Sequence, residues 1–405
     1  MLRWIIFIAI FGIIDFYAFQ SIKTLIKRRW IHYLYLLISG FVLINFIYEI
    51  SQVRENGISI KSNFAIGLFL VMYLPKMLIM LIMFTEDIIR FPLAVFSFFT
   101  KKKGAQNSHF PSRRKFISQL SVGIAAIPFM SLLYGINKGK YNFKVLKYTL
   151  QFEDLPDAFD GYKITQISDI HSGSFDDKEK IEYAVDLVNK QQSDVILFTG
   201  DLVNNKADEM LPWISIFSKL KAKDGMYSIL GNHDYGDYMQ WEHEQAKKQN
   251  LIDLQNIQQK IGFDLLLNES RFIEKNGKRI AIVGVENWGK GFKQKGDLAK
   301  AANNVSVNDF KILMTHDPTH WEEEVIKDHY HYHLTLSGHT HGMQFGIEIP
   351  GWIKWSPIKW RYKHWAGVYK EQGQYINVNR GFGFLAYPGR VGIWPEITVI
   401  ELKKA

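Results

Sequence analysis

The 405-residue sequence predicts two parts in series, an N-terminal transmembrane region of four helices (1–140) and an α/β domain (141–405). Three observations carry this. Apolar residues make up 47% of the chain and aromatic ones 15%, enough for part of it to sit in lipid. Four apolar stretches in the first 140 residues approach or reach the roughly 20 needed to cross a bilayer as a helix. Beyond Tyr141 the texture changes to short β-branched and aromatic runs alternating with charged helical stretches.

The expected spans are 4–20, 30–48, 64–84 and 116–135. The segment 88–99 is apolar but short and contains Arg90-Phe91-Pro92, so it is expected at the interface rather than across it. Lys23, Lys27, Arg28 and Arg29 lie between the first two spans, and Lys101, Lys102, Lys103, Arg113, Arg114 and Lys115 between the last two. The loop 51–63 has only Arg54 and Lys61 against Glu55. Because clustered Lys and Arg resist translocation, the expectation is an integral inner or plasma membrane protein with both termini, and everything after Gly135, outside the cytoplasm. Asp15 and Lys76 lie 11 and 12 residues into the first and third spans. At 1.5 Å per residue their depths agree within about 2 Å, so they are expected to pair, which removes much of the cost of a lone charge in lipid. Ser112-Arg113-Arg114-Lys115-Phe116-Ile117 looks like a twin-arginine export signal; no small-residue cleavage site follows, so the segment is expected to remain as an anchor.

Residues 1–140 hold 17 Lys and Arg against 5 Asp and Glu, whereas 141–405 hold 32 against 35. The basic excess therefore belongs to the membrane region, and no nucleic-acid partner is expected for the domain. Absence of cysteine excludes disulfides, zinc–thiolate sites and a cysteine nucleophile.

Within the domain, 143–152 alternates like a strand and 162–167 is a second, ending at Asp169. Ile181, Ala184, Val185 and Val188 recur at helical spacing over 178–190. Further strands are predicted at 195–198, 226–230, 280–285, 310–314 and 333–336. They end at Gly200-Asp201, Gly231-Asn232-His233-Asp234, Glu286-Asn287, Thr315-His316-Asp317 and Gly338-His339-Thr340-His341. Ligands gather beyond strand carboxyl ends in α/β sheets, so distant motifs can converge. With Asp169-Ile170-His171 the motifs supply seven oxygen and nitrogen donors, the number a two-metal hydrolytic centre needs if one carboxylate bridges both ions.

Five motifs in this order, each after a strand, resemble the calcineurin-like metallophosphoesterase superfamily, whose pattern reads D-x-H, G-D, G-N-H-D, H and G-H-x-H. The resemblance covers about 145–405. Leu155-Pro156, Asp160-Gly161-Tyr162-Lys163-Ile164 and the stretch from Arg390 through Pro395-Glu396-Ile397-Thr398-Val399 are similar to its bacterial membrane-anchored branch. It implies a two-layer β-sandwich flanked by helices, with one metal held by Asp169, His171, Asp201 and His341 and a second by Asp201, Asn232, His316 and His339. Such ligands suit Mn, Fe, Zn or Co. His233 is implied to face the phosphate, with Asp234 orienting its ring. The glycines at 200, 231, 338 and 342 are expected to allow the tight turns. Met343 departs from the branch, which usually has a second glycine there, and Asn204 matches a polar family position with a supporting role.

The expected activity is a metal-dependent phosphohydrolase, with phosphodiesterase among the expected classes, in which a dinuclear metal-bound hydroxide cleaves a phosphoester or pyrophosphate of a phosphorylated small molecule or lipid. Alternatives are a nucleotide-sugar-lipid pyrophosphatase of the same fold and a membrane sensor or accessory protein that only binds ligand. Trp352, Trp355, Trp360 and Trp365, interleaved with Lys354, Lys359, Arg361, Lys363 and His364, read either as an edge cover or as a headgroup-level insertion; Pro357 breaks any single amphipathic helix there and favours the cover. His329, His331 and His333 are expected to be exposed edge positions.

Overall fold

The computed structural model describes residues 2–100, 111–349 and 351–405, with side chains at all of these except 93, 94, 96–100, 111 and 112; Lys101, Lys102 and Lys103 lie outside the described residues. The chain forms two compact units, 1–51 with 64–134 and 52–63 with 135–405.

The first unit contains most of four helices, α1 (Leu2–Leu25), α2 (Arg29–Asn56), α3 (Ile60–Thr100) and α4 (Pro111–Asn137). Leu2–Leu25, Arg29–Asn56, Ile60–Pro92 and Arg113–Asn137 are each long and apolar enough to cross a membrane. The segment 88–99 is not a separate element: α3 runs on through Pro92, which removes one backbone donor without ending the helix. Lys76 Nζ lies 2.6 Å from Asp15 Oδ1, so the two intramembrane charges pair. Tyr73 donates to Asp15 Oδ2 at 2.6 Å, and Lys76 donates to Ser39 Oγ at 2.6 Å. Ile14, Val42 and Phe69 pack around them. Arg113 and Arg114 face Glu86 and Asp87, each at 3.5 Å.

The second unit carries strands β1 (Lys144–Phe152), β2 (Lys163–Ile167), β3 (Val195–Phe198), β4 (Met226–Ser228), β5 (Asp264–Leu265), β6 (Glu269–Lys275), β7 (Lys278–Gly284), β8 (Phe310–Met314), β9 (Leu334–Ser337), β10 (Ile347–Ile349), β11 (Ile353–Trp355), β12 (Gly367–Glu371), β13 (Gln374–Val378) and β14 (Glu396–Lys404). One sheet runs β1-β14-β2-β3-β4-β5 and the other β12-β13-β9-β8-β7-β6; β10 and β11 form a separate hairpin. Alternation decides how the layers stack. Val195 and Leu197 of β3 join Ile280, Ile282, Ile312 and Leu336 in a core shared by both sheets. Ile196 and Phe198 point the other way, onto Ile181, Val185 and Val188 of α5 (Lys178–Asn189) and onto Leu254 and Ile257 of the helix Glu244–Ile261. The outer face of the second sheet is covered by Leu298, Trp321 and Val325. The result is a two-layer sandwich with helices outside.

The central pairs β2–β3 and β3–β4 of one sheet, and β7–β8 and β8–β9 of the other, are parallel, so within each sheet their carboxyl ends fall on one edge. The residues after β2, β3, β4, β8 and β9 are the five motifs, which the topology therefore brings together.

Candidate metal centre

The loops that leave these strands are tightly wound. Asp169, His171, Asp201, His339 and His341 all have φ between 49° and 68°, the left-handed region that non-glycine residues rarely adopt. Each such residue costs of order 1 kcal/mol or more and persists only where its surroundings impose it. Neighbouring glycines make room: a Cβ on Gly338 would lie 1.9 Å from Ser168 Oγ, and one on Gly231 would lie 2.2 Å from Asp201 Oδ1. Met343 also has a φ of 55°, so the residue that departs from the family pattern sits where glycine would be unstrained.

Two groups of ligating atoms result, Asp169 with His171 and His341, and Asp201 with His316 and His339; within each, the atoms lie within 4.8 Å of one another. His171 Nε2 is 3.0 Å from His341 Nε2, which in turn is 3.2 Å from Asp169 Oδ1. Asp201 Oδ1 accepts from the His233 backbone N–H at 2.8 Å. Its Oδ2 stands between the groups, 3.6 Å from His171 Nε2 and 3.1 Å from His316 Nε2. Asn232 Oδ1 lies 2.8 Å from His339 Nδ1, while Asn232 Nδ2 donates to the Tyr238 hydroxyl at 2.8 Å. The seven expected ligands therefore converge.

The donor set fits divalent cations. Backbone groups orient the ligands from behind: His316 Nδ1 is 2.7 Å from the Thr199 carbonyl, and the His339 N–H lies 3.0 Å from both oxygens of Asp169. His316 Nε2 points at Asp201 without hydrogen-bond alignment, and His171 Nδ1 and Asp317 Oδ2 are buried without a hydrogen-bond partner. Burial, then the charge of His341, holds His171 well below the usual imidazole range; burial also lowers His339. Neutral imidazoles are what metal binding requires. His316 is the exception: burial pulls it down, but the Asp201 carboxylate outweighs that and holds it at about 10. A proton on His316 offsets the Asp201 charge, an offset that a bound cation would supply instead.

His233 lies over Tyr238, with ring centroids 4.4 Å apart, and 5.0 Å from His171. Its orientation corrects an expectation. Asp234 does not touch the His233 ring; His233 Nδ1 lies 2.8 Å from the Asn204 carbonyl instead. The buried Asp234 carboxylate accepts from the N–H groups of Asp201 and Gly231 at 2.9 Å and of Leu202 at 2.8 Å. It ties the loop after β3 to the loop after β4. Burial and the Asp201 charge push its carboxyl up to about 7, against the pull of those backbone donors.

Sequence reasoning missed Tyr238, Tyr362 and the position of Asp317. The Tyr362 hydroxyl is 2.9 Å from His339 Nε2, and Asp317 Oδ2 is 3.4 Å from the same nitrogen. Asp317 stood inside a motif, and Tyr362 inside the basic aromatic stretch. That stretch divides: Trp365 is buried against Ile393, while Trp352 and Trp360 are each 76% exposed. His329 and His331 are exposed, but His333 is buried because its Nδ1 accepts the Lys311 N–H at 3.0 Å.

Residues 2–140 match a family described as "Probable Calcineurin-like phosphoesterase, transmembrane domain", and 162–343 one described as "Calcineurin-like phosphoesterase". Among curated relatives, the uncharacterized metallophosphoesterase YkuE of Bacillus subtilis is 28% identical over 72% of this chain and 98% of its own length. Phosphodiesterase YaeI of Escherichia coli is 26% identical over 72% of this chain and 99% of its own. A transmembrane protein with metallophosphoesterase domain from Danio rerio is 26% identical over 67% of this chain but only 60% of its own length. With its buried Asp and His groups at the strand ends, this chain belongs to the calcineurin-like metallophosphoesterase superfamily, as a phosphoester hydrolase joined to a four-helix membrane region.

Proposed function

We propose that this chain is a dinuclear metal-dependent phosphohydrolase acting outside the cytoplasm on a lipid-linked or envelope phosphoester or pyrophosphate. The observation that carries the dinuclear reading is Asp201 Oδ2, placed between His171 and His316 with its other oxygen occupied by a backbone donor. Asp169, His171, Asp201 and His341 would hold one ion, and Asp201, Asn232, His316 and His339 the other. Two divalent cations, drawn from Mn, Fe, Zn or Co, supply Lewis acidity there, neutralising phosphoryl oxygens and making water acidic near neutral pH. The chain's own residues do the rest. Tyr238 holds the Asn232 amide so that its oxygen faces inward, Tyr362 holds His339, and His233 presents its Nε2 edge to the phosphate or leaving group.

A diester is the first substrate to try, since the relative YaeI is named a phosphodiesterase. A lipid-linked substrate is supported by Trp352 and Trp360, exposed beside Lys359 and Arg361, in a segment whose Tyr362 reaches His339. The orientation is supported by the Lys and Arg clusters and by the segment 52–63, where α2 ends and α3 begins, which belongs to the same compact unit as the sandwich with two spans between them in sequence.

The test compares a phosphodiester, a phosphomonoester and a diphosphate lipid in the full-length wild type and Asp201→Asn, with each divalent metal. Hydrolysis of at least one by the wild type, reduced more than about 100-fold by Asp201→Asn, is expected. No hydrolysis by the wild type with any metal leaves only the ligand-binding sensor reading, and an equally active Asp201→Asn variant overturns the proposed role of Asp201.

A further inference from the structure

The segment 52–63, made of the last turn of α2, the connection 57–59 and the first turn of α3, belongs by its contacts to the sandwich unit. Three fixings hold it there. Gln240 N–H donates to the Arg54 carbonyl at 3.1 Å. The Asn205 side chain grips the Ile58 backbone from both sides, Nδ2 donating to the carbonyl at 2.8 Å and Oδ1 accepting the N–H at 3.2 Å. Asn63 Nδ2 donates to Ser174 Oγ at 3.1 Å, the same hydroxyl that Asn204 Nδ2 meets at 3.0 Å. Asn63, Ser174, Asn204 and Asn205 are all buried. Gly57, with φ of 74°, fits the turn twice over: a Cβ there would fall 2.5 Å from Asn205 Cγ.

Asn204 and Asn205 follow the metal-ligand candidate Asp201 by three and four residues. Glu209 accepts their backbone N–H groups at 2.6 and 3.1 Å, and the Asn204 carbonyl is the group that fixes His233 Nδ1. A continuous path of short polar contacts thus runs from this segment, through consecutive asparagines, to the ring presented to the phosphate. The path meets a candidate ligand only through the His233 backbone N–H on Asp201 Oδ1, whereas its last link, the Asn204 carbonyl, acts on the His233 ring, so its effect is expected on the ring more than on metal affinity.

We propose that the segment 52–63 is a positioning element of the active site, which through Asn205 and Asn204 sets the His233 ring and so makes full activity depend on this segment. The proposal rests on the reading of His233 given above. Misplacing a reacting group by about 1 Å costs on the order of 100-fold in rate. A contact that acts on kcat only through the His233 ring loses that effect once the ring is removed, whereas one that acts by another route keeps it.

The experiment is a double-mutant cycle on the full-length protein in detergent, using bis(p-nitrophenyl) phosphate with Mn. Asn205→Ala and, from the other side of the contact, Gly57→Ala are each expected to lower kcat by about 10- to 100-fold, with KM and bound metal unchanged. In a His233→Ala background, Asn205→Ala is expected to cost less than about twofold. Equal losses in both backgrounds overturn the proposal, as does wild-type kcat in both Asn205→Ala and Gly57→Ala while His233→Ala is impaired. A fully active His233→Ala protein instead overturns the reading of the site and the proposal with it. If the alanine variants do not fold, an Arg54→Cys/Gln240→Cys pair decides: a disulfide in this cysteine-free chain supports the docked segment, and failure to form one under oxidation overturns it.

Discussion

Asp234→Asn separates two roles that adjacency in sequence confuses. The carboxylate accepts three short backbone hydrogen bonds, two on Oδ2 from Asp201 and Gly231 and one on Oδ1 from Leu202, with Val203 N–H at 3.4 Å beyond. An amide can accept on only one side. Its NH2 must face at least one of these donors, so at least one charge-assisted bond is lost and a donor is set against a donor. At pH 8, above the Asp234 midpoint of about 7 so that the carboxyl is ionised, about 1.5–3 kcal/mol per bond to a charged group, with the surviving bonds losing their charge assistance, makes the loss about 3 kcal/mol. Because the donors lie in the loops after β3 and β4, the cost appears there first, as local opening. Hydrogen exchange followed by mass spectrometry on the full-length protein reads it directly. Peptides spanning 199–204 and 229–236 are expected to exchange about 100-fold faster, since each 1.4 kcal/mol is tenfold. Exchange within about threefold of wild type, together with a kcat loss equal to that of His233→Ala, would refute the reasoning and return Asp234 to the His233 ring.

Three further outcomes are expected. Asp15→Lys and Lys76→Asp should each reduce expression, and the double swap should restore most of it, because breaking a buried pair leaves one uncompensated charge; no rescue counts against the pairing. In bilayer nanodiscs, Trp352→Ala with Trp360→Ala should lower kcat/KM about tenfold for a diphosphate lipid and leave a water-soluble diester unchanged; equal effects on both remove the lipid reading. Burial, then the positive charge of Lys311, pulls His333 down to about 4, and protonating Nδ1 would break its bond from the Lys311 N–H. The folded protein then binds fewer protons than the unfolded chain, whose His titrates near 6.5, so this contribution is present above pH 6.5 and lost as pH falls toward about 4. An NMR midpoint for His333 at or above 6.5 contradicts that.

The fold was legible where each local signal had one physical outcome. Apolar runs of bilayer length became helices, and the strands ending at Asp169, Asp201, Asn232, His316 and His339 could be placed because β-branched runs stop where ligand motifs begin. β6 was not predicted although Asn276-Gly277 marks its hairpin with β7, since its half-exposed residues give no clean alternation. Contacts set by backbone conformation were also hidden. Consecutive residues in the turn after Asn232 point to different partners, so the carboxylate next to His233 serves other loops and a carbonyl 29 residues away serves His233. The segment 52–63 offered only a low charge count, and its grip by Asn205 is set over 147 positions of chain, beyond any periodicity. Tryptophan spacing likewise did not separate the buried Trp365 from the exposed Trp352 and Trp360, because Trp365 is buried in a small cluster with Tyr362, Ala366 and the distant Ile393.

The central claim is that one carboxylate joins two ions, and metal stoichiometry tests it most directly. Full-length protein purified without chelator and analysed by inductively coupled plasma mass spectrometry should carry about two equivalents of divalent metal. His341→Ala and His316→Ala, each removing a ligand from one group only, should each fall to about one equivalent, while Asp201→Asn should fall below one. Two equivalents retained by Asp201→Asn, or no more than one in the wild type under saturating metal, would contradict the shared-carboxylate centre.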